Sequence, residues 1–159
     1  MKKIIKKNKL FQQIESKITE NNNNFNISEV FDRDILNIDI QEKKIQEKKV
    51  YYIKSWILQH LDITDITQSE RSNNKIWLWY NKNFFYPTFI LSKKIFQLII
   101  DDLSYKYINE KFIVWLSIDD WEYKNITISF HHVRKHEPSV LISDIDKYET
   151  NWLLVAYLW

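Results

Sequence analysis

The chain contains no glycine in 159 residues, where average usage of about 7% would supply roughly eleven. Glycine lets a backbone approach a phosphate closely and supplies positive φ in tight turns. A P-loop, a dinucleotide fingerprint, a G-x-S-x-G nucleophile elbow and an EF-hand loop all need it at fixed positions, so none can be built here in standard form. Cysteine is also absent, which removes disulfides, thiolate metal sites and thiol nucleophiles and fits a reducing compartment. Long apolar runs are missing as well: the longest, Trp152 to Trp159, falls far short of the roughly 20 residues of a membrane helix. The basic start Met1-Lys2-Lys3-Ile4-Ile5 is interrupted at once by Lys6, Lys7, Asn8 and Lys9, so no signal-peptide core follows it. The expectation is a cytoplasmic chain with no membrane partner, no cofactor and no metal.

What is present describes a globular protein. A hydrophobic fraction of 45% and a charged fraction of 28% suit one domain over residues 1–159, long enough to bury a core without staples. Ile, Lys and Asn are abundant, as in an AT-rich gene. With glycine gone, Asn is expected to take the turns, at Asn21 to Asn24, Asn73-Asn74, Asn81, Asn83 and Asn125, because it tolerates the left-handed region best after Gly. The net charge of +2 hides an asymmetry: 17 basic against 11 acidic residues through Lys94, then 6 against 10 from Ile95 onward. Such a split can orient a partner.

Periodicity predicts an α+β fold, an antiparallel meander of about five to six strands packed against two to three helices. A basic N-terminal helix is expected within residues 1–20, with Phe11, Ile14 and Ile18 on one face, followed by an Asn-rich loop at 21–26. Glu42 to Leu61 reads as a second helix, since Ile53, Trp56, Ile57, His60 and Leu61 fall at helical spacing. Asp62 to Asn74 reads as a loop or a short turn of helix. Lys75 to Tyr80 and Phe84 to Ile90 read as a hairpin, with Pro87 at an edge, and Ser92 as the N-cap of a helix reaching Ile108. Lys111 to Ile118, Ile126 to Val133, Val140 to Ile145 and Trp152 to Trp159 read as strands.

Three groups of side chains bear on chemistry. His131-His132-Val133-Arg134-Lys135-His136-Glu137 gathers the residue types of acid–base RNA cleavage or of a metal site, and a metal-independent nuclease using His131, Arg134, Lys135 and His136 is one alternative. Against it, neighbours on a strand point to opposite faces, so His131 and His132 cannot meet at one atom without a bulge. The pairs Asp101-Asp102 and Asp119-Asp120 read as a solvated helix face and a turn. Lys2, Lys3, Lys6, Lys7 and Lys9, with the 43–49 run, can neutralise phosphates. A small nucleic-acid-binding regulator is therefore a second alternative, although Glu15, Glu20, Glu42 and Glu47 dilute the charge.

The aromatics point elsewhere. Seven Trp and nine Tyr are many for one core. In Lys75 to Tyr80, Trp77 and Trp79 share one strand face while Ile76, Leu78 and Tyr80 share the other. Trp and Tyr are enriched at the energetic centres of protein interfaces. Size, α+β layout, AT-rich composition, the missing catalytic motifs and the aromatic elements Lys75 to Tyr86 and Asn151 to Trp159 make the chain similar to bacterial immunity proteins. These neutralise cognate toxins in contact-dependent inhibition and other polymorphic toxin systems. The resemblance implies a non-catalytic protein that blocks a toxin domain. Its expected anchors are Trp77, Trp79, Tyr80 and Trp121, with Asp119, Asp120 and Glu122 pairing with a basic partner. The net positive charge departs from the acidic character common in proteins that plug basic nuclease clefts.

Overall fold

A computed structural model describes residues 1–20, 36–45, 47–54, 66–81, 83–119, 124–135, 145–147 and 152–159. Within these the elements run β1 (Lys3–Lys7), α1 (Lys9–Glu20), β2 (Ile40–Ile45), β3 (Lys48–Ile53), α2 (Ile66–Asn73), β4 (Ile76–Trp79), α3 (Phe85–Lys106), β5 (Phe112–Asp119), β6 (Asn125–His132), a 3-10 turn (Ile145–Lys147) and β7 (Trp152–Leu158). The class is α+β, as expected. Five strands form one antiparallel sheet in the order β1-β7-β5-β6-β4, and β2 and β3 form a separate hairpin.

The alternating faces of the main sheet bury two separate clusters. On one face Val114, Leu116, Ile126, Ile128, Phe130, Leu154 and Ala156 pack against Phe11 of α1 and against Phe89, Ile95, Ile99 and Leu103 of α3. Ile40, Tyr51 and Ile53 of the hairpin close the same core. On the other face Ile113, Trp115, Leu153, Val155 and Tyr157 pack with Ile145. β5 and β7 are apolar on both faces because both faces are covered, which is why they read as continuous hydrophobic runs.

The expected N-terminal helix is divided. Residues 3–7 form a strand paired with β7, Lys3 opposite Leu158 and Lys7 opposite Leu154, and the helix begins only at Lys9. Asn8 makes the joint. Its buried Oδ1 accepts the Phe11 N–H at 2.9 Å and the Leu153 N–H at 3.0 Å, while its own N–H donates to the Leu153 carbonyl. One amide oxygen thus caps a helix and ends a sheet ladder.

Two further expectations are corrected. The segment expected as a helix from Glu42 contains the β2–β3 hairpin, in register from Ile40 opposite Ile53 to Ile45 opposite Lys48; its remainder, 55–61, lies outside the described residues. Glu47, with φ of 65°, takes the left-handed conformation at that turn. Phe84 to Ile90 is not a strand: α3 starts at Phe85, and Pro87 is its third residue, where the missing N–H would have had no helical partner. The start is held by Asn81, whose Oδ1 accepts the N–H groups of Asn83 and Phe84. Ser92, the expected N-cap, lies buried inside the helix and donates its hydroxyl to the Phe89 carbonyl. Asn therefore serves here through its side-chain amide. The expected loop at 21–26 and strand at 140–144 lie outside the described residues, and Ile145 belongs to the 3-10 turn. No described helix is long and apolar enough to cross a membrane.

Candidate functional site

β4 is the last strand of the sheet, paired on one side with β6. Its period-2 pattern is expressed fully: Ile76 and Leu78 are buried beneath α3, and Trp77 and Trp79 project from the other face with 57% and 60% of their surface exposed. Their rings stand at 90° with centroids 6.4 Å apart, the edge-to-face arrangement that the quadrupoles of two indoles favour. Cross-strand, Trp77 lies opposite Thr127 and Trp79 opposite Asn125, small polar residues that cover little of either ring. The Tyr80 N–H donates to the Lys124 carbonyl. By the alternation of an antiparallel ladder, Leu78 and Ile76 bond to β6 and the peptide groups of Trp77 and Trp79 point away from it.

Tyr80 is engaged within the fold. Its hydroxyl donates to the Asp119 carbonyl at 3.1 Å and its ring packs on Phe85 at 4.9 Å. This ties the end of β4 to the end of β5. Asp119 is half-buried at the end of β5, opposite Asn125, so it shares a sheet face with the two tryptophans. Asp120, Trp121 and Glu122 lie outside the described residues.

The histidine segment resolves into two unconnected places. His131 points into the smaller core, buried beside Trp115 at 5.5 Å. His132 points to the opposite face, as strand geometry requires, and its Nε2 lies 2.9 Å from Glu110 Oε2. Arg134 reaches α2, where its guanidinium grips the buried Glu70 carboxylate with both nitrogens, at 2.6 and 3.0 Å. It donates further to Lys49 O and Thr67 Oγ1. Glu70 also accepts the N–H groups of Tyr51 and His132. Lys135 is exposed and His136 lies outside the described residues.

A second set of charges adjoins this one: Lys49 Nζ sits 2.6 Å from Glu110 and 3.6 Å from Glu42, and the Tyr51 hydroxyl donates to Glu42. Burial, helped by the Arg134 charge, pushes His132 below the usual imidazole value in spite of Glu110. Burial raises Glu110, but Lys49 and His132 outweigh it and hold the carboxyl below the usual carboxylate range. Burial drives Glu70 up, opposed by Arg134 and the two amides, and burial likewise drives the Tyr51 hydroxyl up, together with the charges of Glu110 and Glu42. Each acid in this knot is thus engaged by a base of the same knot, and its effect is to join β3, α2 and β6. Glu70 and Glu110 carried no signal in the sequence, because each acquires its role only from partners far along the chain.

Compared with family models, curated proteins and solved structures, the chain matches none.

Proposed function

We propose that this chain is a non-catalytic protein-binding module, an immunity protein that binds a cognate bacterial toxin and blocks its active site or the approach of its substrate. The observation that carries this reading is the pair Trp77 and Trp79, more than half exposed, side by side on the terminal strand of the sheet. Exposing two indoles in contact is unfavourable in isolation, and large exposed aromatics of this kind form the centres of interfaces. The Glu70–Arg134 and Glu110–His132 pairs support it from the other side, since those groups bind one another. Asp119 stands at the end of β5 on the tryptophan face, and Asp120 and Glu122, next along the chain, would add charge for a basic partner.

The test begins with affinity capture from the native host and identification of a stoichiometric protein retained at high salt. Co-expression of this chain should then relieve the growth arrest that the captured protein causes. A Trp77→Ala/Trp79→Ala variant should lose both binding and relief while keeping its circular dichroism spectrum. Undiminished protection by that variant would remove the tryptophan pair from the interface and the reading with it.

A further inference from the structure

At the opposite edge of the sheet, strand register assembles a surface that no stretch of the sequence displays. Lys2 and Trp159 exchange both backbone hydrogen bonds, and Lys111, preceding β5, continues that row on the same face. The next row carries Ile4 and Tyr157, and the one after it Lys6 and Val155. Along these rows cation and ring alternate. Lys6 Nζ lies 5.5 Å over the Tyr157 ring, Tyr157 stacks on Trp159 at 5.9 Å and 27°, and Lys111 Nζ lies 5.6 Å over Trp159. Lys2, Lys6 and Lys111 are exposed and form no ion pair among the described residues, and Trp159 is 38% exposed. On the other face of β1 the situation is reversed, for Lys7 and Lys93 are both neutralised by Glu15. No carboxylate occupies the three rows on the Lys6 face from β1 across to β6.

We propose that this edge binds a single-stranded nucleic acid, with Lys2, Lys6 and Lys111 against successive phosphates and one base stacked on Trp159. Unpaired cations flanking an aromatic platform are the two elements that sequence-tolerant single-strand binding requires. A lysine resting over an indole face is held weakly at an exposed site. Lys111 can therefore leave the ring for a phosphate, and a base takes the place it vacates. A duplex offers phosphates but keeps its bases stacked inside, so Trp159 gives the surface its preference for single strands. This function is independent of the tryptophan pair on β4, which lies at the other end of the strand order.

The experiment is fluorescence anisotropy with labelled oligo(dT) of about 20 nucleotides and the corresponding dA·dT duplex, using the full chain across a salt series. The expected result is tighter binding of the single strand, with affinity falling on a log–log salt slope of about −2, as three phosphate contacts give. Lys6→Ala/Lys111→Ala should weaken binding by about tenfold. Lys43→Ala/Lys44→Ala removes the same charge from exposed positions of β2 and should leave binding within about twofold, because counter-ion release counts only the cations in contact. Trp159→Leu should cost the single strand at least about fivefold and the duplex nothing. Absence of binding at low salt, equal losses from the two lysine pairs, or equal affinity for the duplex would each overturn the proposal.

Discussion

Arg134 and Glu70 meet in a two-pronged ion pair, 64 residues apart in the chain, with the Glu70 side chain fully enclosed and that of Arg134 11% exposed. Because β3 and β6 also send backbone N–H groups to the same carboxylate, this one side chain fastens three elements at once.

Removing one member of such a pair leaves a buried charge with nothing opposite it. Glu70→Gln should therefore destabilise the fold by about 3–5 kcal/mol, and Arg134→Ala by a similar amount. Replacing both with apolar residues of like volume should recover much of the loss. Urea unfolding of the singles and the double, analysed as a double-mutant cycle, measures this. Additive losses would mean that the pair is not coupled.

The fold should weaken on acidification in two stages. His132 has a folded value below its ordinary 6.5, so the unfolded chain takes up a proton first and stability falls as pH drops through about 6.5. Glu110, held below 4.5, contributes stability above that value and loses it as pH falls through its folded value. Glu70, raised by burial against the opposing Arg134, acts in the opposite sense, gaining stability as pH falls from its folded value to the unfolded 4.5. Glu70→Gln, by contrast, turns an amide NH2 onto the donors of Arg134, Tyr51 and His132. A His132→Gln variant should lose the first stage and keep the second, as thermal denaturation against pH would show.

Asn8→Ala should cost about 3 kcal/mol, since it leaves the Phe11 and Leu153 N–H groups without their acceptor. Hydrogen exchange offers a local check. The Leu153 amide should exchange faster in the variant by more than the global loss of stability explains.

Trp77 and Trp79 should be separable from the core tryptophan Trp115 by their contact with water. Acrylamide should quench a red-shifted part of the emission that shrinks in Trp77→Phe/Trp79→Phe, with exposed Trp159 supplying the remainder. Truncating each to Ala should change stability by less than about 1 kcal/mol while costing about 2 kcal/mol or more in partner affinity. A large stability loss would identify them as core.

The parts of this fold legible in the sequence are those whose pattern is complete within one segment. Ile126, Ile128, Phe130 and His132 alternate because β6 is a sheet strand over its full length, and Trp77 and Trp79 fall on one face for the same reason. β1 was hidden because Lys-Ile-Ile-Lys-Lys serves a helix as well as a strand, and only pairing with β7, some 150 residues later, decides it. The β2–β3 hairpin was hidden because its turn lacks the Asn-Gly type signal and uses Glu47 instead. At the candidate site, the shared strand face of Trp77 and Trp79 was readable. The engagement of Tyr80 with Asp119 O was not, nor was the pairing of His132 with Glu110, since both depend on which strands become neighbours.

The position of β7 between β1 and β5 orders events on the ribosome. Residues 3–7 are made before the rest of the sheet but have no strand to join until 152–158 follow, so these two segments enter the sheet together. Until then β5 lacks one neighbour and the smaller core lacks Leu153, Val155 and Tyr157, which places the interval of greatest exposure to chaperones and proteases before 152–158 are made. The long separation of the pairing partners sets a correspondingly slow closing step.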